Sequence, residues 1–303
     1  MGGSGGSDYR NVDDAAISAA RAREELARQE LIAEVNDYLD GLLRGFNDRD
    51  AELINGRLTE ALDCLGESVY DVDRLLFGGS IAKHTYVDGL SDVDALIVMR
   101  DVEAASPSEL ITGVANAIRA ASLSDVAEVT AGNLAVTVTY VDGCEVQLLP
   151  ARERGGRLAI ASADGARWQN IRPKEFARKL TEVNQANGGS VVPVTKLAKA
   201  LVNQLPEPHR LSGYHVEAIA VDAFKNYDGA RNRADMLHHL LAHASSAVLR
   251  PTGDITGQSV HIDPHLGAAN SNERRAIAAA ITRIVRRMES ARAVSDYESL
   301  FGD

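Results

Sequence analysis

The chain has little cysteine, no excess of positive charge and no long apolar run. Its only two thiols, Cys64 and Cys144, are isolated, so they exclude a zinc ribbon or disulfide framework and favour the reducing cytoplasm. No apolar run approaches the roughly 20 residues that a membrane-spanning helix needs, so we expect no membrane segment and no secretory signal. The net charge of −11 argues against a surface that coats polyanions, and nucleic-acid binding is not indicated.

What the chain does have is the composition of an ordinary globular protein, with 45% hydrophobic and 25% charged residues. Residues 1–7 have the composition of a flexible linker, and we expect them to lie outside the fold. The remaining residues suffice for one large domain or for two lobes that share an interface. The sequence contains neither an internal repeat nor a low-complexity tract.

Periodicity predicts helices at both ends of the chain and strands between them. A long N-terminal helix is indicated by apolar residues at helical spacing, namely Leu31, Val35, Leu39, Leu42 and Phe46. A second helix would run from a cap at Asp50 to about Cys64. Strands are predicted at 74–79, 92–99, 134–140 and 144–149, with Asp142-Gly143 as a hairpin turn before the last. Further helices are predicted near 174–186, 193–204, 214–227, 231–249 and 271–290.

This order of elements predicts a bilobal α+β fold. Residues 8–172 would form the N-terminal helices and a catalytic core built on a mixed sheet, and residues 173–303 would form a helical lobe.

The residues that point to chemistry lie at the start of two predicted strands. Gly79-Ser80 follows a short apolar strand, and Asp92 and Asp94 open the apolar strand 95–99. Because side chains alternate along a strand, the two aspartates would share one face, where they would repel unless a cation neutralised them. Mg²⁺ prefers carboxylate oxygens together with substrate phosphates, and glycines let the backbone approach a phosphate closely. Solvated strand-edge aspartates beside an ordinary turn are the alternative interpretation, which the apolar strand disfavours.

The stretch Gly79-Ser80-Ile81-Ala82-Lys83-His84-Thr85, followed by Leu90-Ser91-Asp92-Val93-Asp94, resembles the nucleotidyltransferase motif of the DNA polymerase β superfamily. Within that superfamily it is similar to the bacterial cGAS/DncV-like nucleotidyltransferases, the CD-NTases of antiphage CBASS systems. The resemblance implies a bilobal nucleotidyltransferase fold and catalysis with two Mg²⁺ ions, for which Mn²⁺ could substitute.

The same resemblance implies a third carboxylate on a neighbouring strand. Glu145-Val146-Gln147-Leu148-Leu149-Pro150-Ala151 resembles the strand that ends in Leu-Pro-Ala in oligoadenylate synthases and their bacterial relatives. One common form of this strand carries an aspartate three residues before the proline, where this chain has Gln147. Glu145 is on the same strand face, so we predict that Glu145 acts with Asp92 and Asp94 as metal ligand and catalytic residue. Gln147 in the third ligand position, with Glu145 only supporting it, stays open.

The resemblance also assigns nucleotide binding to Gly79, Ser80, Lys83, Lys196, Lys199, Ser212 and Tyr214. In the family a lysine and a serine contact the donor triphosphate, and a tyrosine stacks on its base. Gly213 departs from this pattern, since some relatives carry a second serine there. A solvated helix face is the equal alternative for the two helical lysines, and burial in the core is the alternative for Tyr214.

The resemblance implies a metal-dependent nucleotidyltransferase that joins NTPs, with ATP expected among them, into a cyclic di- or trinucleotide second messenger for antiphage defence. The resemblance also leaves room for a regulatory protein partner. Two other functions remain open: nucleotide transfer to a protein, RNA or small-molecule acceptor, and a non-catalytic nucleotide sensor. The large helical lobe favours the cyclase over shorter relatives, while Gln147 leaves room for the sensor.

Overall fold

The computed structural model of the chain describes residues 8–46, 51–66, 72–77, 84–87, 93–100, 105–162, 164–254 and 261–302. The described chain begins with a long helix, α1 (Asp8–Gly45), which confirms the predicted N-terminal helix. A second helix, α2 (Ala51–Gly66), follows and begins one residue after the predicted cap at Asp50, which itself lies outside the described residues.

The strands described form one mixed sheet: β1 (Val72–Phe77), β2 (Val93–Met99), β3 (Val126–Ala131), β4 (Val136–Tyr140), β5 (Glu145–Arg154), β6 (Arg157–Ala161) and β7 (Trp168–Ile171). Their spatial order is β1-β2-β5-β4-β3, and β6 and β7 extend from the far end of β5. β2 and β5 are parallel, whereas the other neighbouring strands are antiparallel. The predicted hairpin turn joins β4 to β5, and its Gly143 has the positive φ of 82° that glycine adopts without steric cost.

A helix that connects β2 to β3 covers one face of this sheet. It is α3 (Pro107–Ala121), which begins at a capping box where Ser106 accepts from the Glu109 amide and the Glu109 carboxylate accepts from the Ser106 amide. The apolar face of α3 packs with α2 against the alternate residues of β2, β4 and β5 that point toward them, among them Ile97, Val138 and Leu148. The opposite face of the sheet is therefore the one available for a site.

The described part of the chain after β7 is helical, apart from short 3-10 turns and connections: α4 (Pro173–Ala186), α5 (Val191–Asn203), α6 (Gly213–Ala223), α7 (Arg233–Ala247), α8 (Asn272–Ser290) and α9 (Val294–Phe301). These helices share one apolar core, to which α1 contributes Val35, Leu39 and Leu43. The predicted α+β fold of a mixed sheet with a helical lobe is confirmed. The division between residues 172 and 173 stays a prediction. Helix α1 precedes this division in the chain but packs against the helices that follow it.

A buried ion cluster connects the start of α8 to the segment after α7. Arg274 and Asp263 are both 0% exposed, and Arg274 Nη1 lies 2.7 Å from Asp263 Oδ2. The same guanidinium donates to the backbone oxygens of Val248, Arg250 and Gly267. Its hydrogen bonds therefore hold this irregular segment in place, because buried carbonyls need donors.

Candidate active site

The parallel pairing of β2 with β5 places Asp94 and Glu145, two of the three predicted metal-binding residues, on one face of the sheet. Asp94 is the Cα partner of Gln147, and paired residues in a sheet point to the same face. That face is the one not covered by α2 and α3, because the next residue along β2, Ala95, lies in the core beneath those helices. Glu145 is two residues before Gln147 and so shares its face.

Polar side chains continue this arrangement onto β4. Thr137 is paired with Gln147 and Thr139 with Glu145. Asp94, Gln147 and both threonines are half-buried, while Glu145 is exposed. Further along the same face the residues become apolar, with Leu96, Val98 and Ala151 in a small buried cluster. Oxygen-bearing side chains thus concentrate at the end of the sheet where β2 and β5 begin.

A buried arginine of α2 anchors the turn that leads into this end of β5. Arg57 Nη2 donates to Asp142 Oδ2 at 2.8 Å, and its guanidinium carbon lies 4.0 Å from the centroid of the Tyr140 ring. The hydrogen bond from Arg57 and that from the Cys144 amide lower the pKa of Asp142 below its ordinary value. The hairpin turn before Glu145 is therefore attached to the helical layer below the sheet.

Four predicted site residues, Gly79, Ser80, Lys83 and Asp92, lie outside the described residues. The described chain leaves β1 at Phe77, whose Cα partner is Ala95 near the start of β2. Among the residues that the structure describes, no three carboxylate, histidine or cysteine side chains lie together as a metal site. The predicted set of three includes Asp92, so that observation does not test it.

Lys199 lies in a buried polar cluster with Thr85 and Glu217. Its Nζ is 2.6 Å from Glu217 Oε1 and donates to the Thr85 carbonyl oxygen at 3.0 Å, and the Thr85 hydroxyl donates to Glu217 Oε1. Lys196 and Lys199 are both 8% exposed, so the alternative of a solvated helix face is wrong. The predicted contact between Lys199 and a triphosphate stays a prediction.

The start of α6 carries the next two predicted contacts. Ser212 is the N-cap of α6, and its hydroxyl accepts from the His215 amide at 3.2 Å. Tyr214 is half-buried, donates to Asp254 Oδ1 at 3.2 Å and packs with its ring centroid 4.8 Å from that of Phe176. The structure thus gives both side chains a local structural role, and their predicted contacts with nucleotide stay predictions.

Lys196, one turn before Lys199, lines a cavity of about 560 Å³. This cavity lies between the end of α1, the 84–87 segment and the start of α5; its other lining residues are Asp40, Leu43, Arg44, Phe46, His84, Tyr86, Val192, Pro193 and Arg233. Arg233 is paired there with Asp40, with Nε 3.0 Å from Oδ1. Lys196 and Lys199 therefore have different surroundings, although they lie on the same helix.

Sequence reasoning missed Thr85 and Glu217, which the structure places against a predicted site residue. Glu217 is 1% exposed within the apolar run of α6, between Val216 and Ala218. A lone carboxylate in such a run is a signal of a buried partner, since Glu is almost never fully buried unless paired. The partner itself could not be read from the chain, because Lys199 and Glu217 lie 18 residues apart.

Residues 47–184 match the model of the Second Messenger Oligonucleotide or Dinucleotide Synthetase domain. The match includes all of the sheet and the candidate site on β2 and β5. It confirms the resemblance to the cGAS/DncV-like nucleotidyltransferases. The predicted class of function, synthesis of an oligonucleotide second messenger by a nucleotidyltransferase, is confirmed with it. No curated protein sequence matches the chain.

Solved structures with the same fold include CdnG from Bradyrhizobium diazoefficiens in complex with GTP, which is 14% identical, with a TM-score of 0.66 over 85% of this chain and 91% of that one. CdnC from E. coli MS115-1 with ATP is 16% identical, with a TM-score of 0.65 over 90% and 97%. The Vibrio cholerae cyclic AMP-GMP synthase DncV is 15% identical, with a TM-score of 0.60 over 97% and 91%. At these identities the likeness establishes the bilobal nucleotidyltransferase fold.

No helix in the described parts of the chain combines the length and the apolar character that crossing a membrane requires.

Proposed function

We propose that the chain joins nucleoside triphosphates through phosphodiester bonds into a cyclic di- or trinucleotide that signals in antiphage defence. The observation that carries this proposal is the pairing of Asp94 with Gln147, with Glu145 on the same face, inside the synthetase domain. ATP and GTP are the first substrates to test, since CdnC and CdnG were solved with them. The predicted cytoplasmic location belongs to the same proposal.

A divalent cation fits the side chains at this end of the sheet. Asp94 and Glu145 offer carboxylate oxygens, and the Gln147 amide oxygen lies on the same face. These are the hard oxygen ligands that Mg²⁺ prefers, and Mn²⁺ accepts the same ligands. Asp92, Asp94 and Glu145 would hold two such ions. When bound, the ions would activate the attacking ribose hydroxyl and neutralise charge on the donor phosphates.

The remaining predicted residues would bind and orient the donor nucleotide. Gly79, Ser80 and Lys83 would hold its phosphates, since glycines allow close backbone approach and the serine and lysine supply donors. Lys196, Lys199 and Ser212 would add contacts to the triphosphate, and Tyr214 would stack on the base. In-line attack on the α-phosphorus would then expel pyrophosphate, with positioning and charge neutralisation lowering the barrier.

A non-catalytic nucleotide sensor is the second candidate, because the side chain directly opposite Asp94 is an uncharged amide, Gln147. Nucleotide transfer to another acceptor would use the same site. A regulatory protein partner is also part of our proposal, since E. coli CdnC is solved in a complex with HORMA-deltaN. The three functions differ in their product: a cyclic oligonucleotide, a modified acceptor, or none.

The test is to incubate the protein with all four labelled NTPs and Mg²⁺ or Mn²⁺, then to identify phosphatase-resistant products by mass spectrometry. We expect Asp94→Asn combined with Asp92→Asn to lower the rate by about three orders of magnitude or more, because two of the three ion-binding carboxylates are removed. The fold should stay intact, since removing carboxylates that repel costs no stability. Asp222→Asn, an exposed carboxylate on α6, is the control.

Unchanged turnover in the double variant would contradict the site assignment. Nucleotide binding by the wild type without any product, under every combination of NTP and metal, would favour the sensor.

A further inference from the structure

Thr85, Lys199 and Glu217 form a buried polar cluster between segments that are far apart in the chain. Thr85 lies in the 84–87 segment, between the predicted phosphate-binding turn and β2, whereas Lys199 is on α5 and Glu217 on α6. Their exposures are 0%, 8% and 1%. Glu217 Oε1 accepts from both Lys199 Nζ and the Thr85 hydroxyl, and Lys199 also donates to the Thr85 carbonyl. We call these three residues the latch.

Stability alone does not account for the latch. Removing two charges from water is expensive, and apolar residues of similar volume often replace a buried ion pair with no loss of stability. What a buried ion pair does provide is a defined geometry, because its hydrogen bonds form in only one arrangement. Here the arrangement attaches the 84–87 segment to the α5–α6 pair through both the backbone and the side chain of Thr85.

Gly213 leaves the space that Lys199 occupies. A Cβ added at Gly213, the first residue of α6, would lie 3.2 Å from Lys199 Cε and 3.3 Å from Lys199 Nζ. Such contacts are tighter than ordinary van der Waals distances, so a Cβ at position 213 would require the end of the Lys199 side chain to shift by a few tenths of an ångström. The backbone of Gly213 is not in the left-handed region. Its φ therefore does not require glycine, whereas the close approach of Lys199 does favour it.

We propose that Glu217 and Gly213 are positioning residues for nucleotide binding: together they hold Lys199 against Thr85 and so set where the segment after the phosphate-binding turn lies relative to α5 and α6. The inference rests on the proposed function, because it deepens the account of the donor site. Loss of the latch should weaken nucleotide binding even in a protein that remains folded.

The first experiment compares Thr85→Val with Thr85→Ser. Valine keeps the shape of threonine and removes the hydroxyl that donates to Glu217, whereas serine keeps the hydroxyl and removes a methyl group. We expect Val to weaken the binding of non-hydrolysable ATP and GTP analogues with Mg²⁺ by about fivefold, the effect of one lost hydrogen bond. Ser should restore affinity to nearly that of the wild type. Calorimetry measures affinity, and circular dichroism melting reports the fold separately.

A role in folding alone predicts a different result. Both variants would be less stable than the wild type, and neither would bind nucleotide more weakly below its melting temperature. Equal affinity of Thr85→Val and wild type would overturn the inference, as would a failure of Ser to restore binding.

The second experiment displaces Lys199 without touching any charge. In the series Gly213→Ala and Gly213→Val, helix propensity predicts a fold at least as stable for Ala as for Gly, whereas nucleotide affinity should fall from Gly to Ala to Val. Glu217→Gln should also weaken binding; if it fails to fold, the Gly213 series and Thr85→Val still decide the question. Asp222→Asn on the same helix should bind like wild type.

Affinity that does not follow the order Gly, Ala, Val would contradict the latch. The proposed function fails differently, since it fails when the wild type itself binds no nucleotide or when Asp94→Asn leaves turnover unchanged.

Discussion

Two groups of charged side chains lie in different surroundings: those at the candidate site are accessible, and a second group on the helical side is buried and paired. At the start of β2 and β5, Asp94 is half-buried and Glu145 is exposed, on a face of the sheet that α2 and α3 leave uncovered. On the helical side, Arg274 and Asp263 are completely buried and paired, and Glu217 is 1% exposed against Lys199. Asp94 and Glu145 can thus be reached by a ligand, whereas Asp263 and Glu217 hold segments of the chain together.

This difference separates function from structure among residues of the same chemical type. A buried, paired charge should affect stability when it is removed, because its partner is left without compensation. A solvent-accessible carboxylate at the candidate site should affect the reaction and leave the fold intact. Four changes test that contrast, beginning with the largest expected effect.

Arg274→Met should destabilise the helical lobe by about 3–5 kcal/mol, because it leaves the Asp263 carboxylate buried without its partner. It also removes donors from four backbone carbonyl oxygens that are buried or partly buried. Urea unfolding followed by circular dichroism measures the loss. Turnover per folded molecule should stay at the wild-type level. A large fall in turnover in the folded protein would contradict the assignment of this buried charge to stability alone.

His215 should make the same region sensitive to acid. Burial lowers the pKa of His215, Asp263 opposes this shift, and Arg274 and His265 add to it, so that the pKa lies at about 4. The unfolded chain binds a proton near pH 6.5 that the folded chain does not, so stability is full above that pH. It should fall by about 3 kcal/mol as the pH drops from about 6.5 to about 4.

Urea unfolding of wild type and His215→Gln across that pH range isolates the effect. Hydrogen bonds with Arg274 and the Thr252 amide lower the pKa of Asp263 in both proteins, so their difference reports His215 together with its interaction with Asp263. An equal pH dependence in the two proteins would mean that the pKa of His215 does not differ between the folded and unfolded states.

Glu145→Gln should lower the rate of nucleotide transfer by about two orders of magnitude, or about 2.7 kcal/mol. Only Glu145, and not Gln147, carries a charge that can balance a cation. Gln147→Ala should cost much less, because an amide would act as an outer hydrogen-bonding partner. Steady-state rates at saturating Mg²⁺ distinguish the two variants. A greater loss of rate from Gln147→Ala than from Glu145→Gln would assign the third ligand position to Gln147.

Asp222→Asn should change stability by no more than about 0.5 kcal/mol. Its carboxylate lies 3.1 Å from His243 Nε2 at the surface, and exposed ion pairs contribute little. Asp222→Asn and Glu217→Gln both replace a carboxylate of α6 with an amide, and the property that distinguishes the two positions is burial. A stability loss comparable to that of Arg274→Met, or a turnover loss comparable to that of Glu145→Gln, would show that exposure does not separate the two kinds of charge.

Most helices could be predicted from the sequence, because an apolar stripe at a period of 3.6 depends only on local spacing. The same holds for β4, where buried Val136, Val138 and Tyr140 alternate with half-buried threonines. Helix α3 went unpredicted although it has a capping box and a strong apolar face. The short strands β3, β6 and β7 were also missed, since β6 and β7 are only 5 and 4 residues long and few of their residues are buried.

The sequence by itself predicted the chemistry proposed for the site, because the two Asp residues and the Gly-Ser turn are close in the chain and alternation along a strand implies a shared face for Asp92 and Asp94. Only the tertiary structure decided which residue stands beside Asp94, since the β2–β5 register joins residues 53 positions apart. It also decided that Lys199 is buried against Glu217 and Thr85. Pairing between distant segments depends on how helices and strands pack, and no local pattern records that packing.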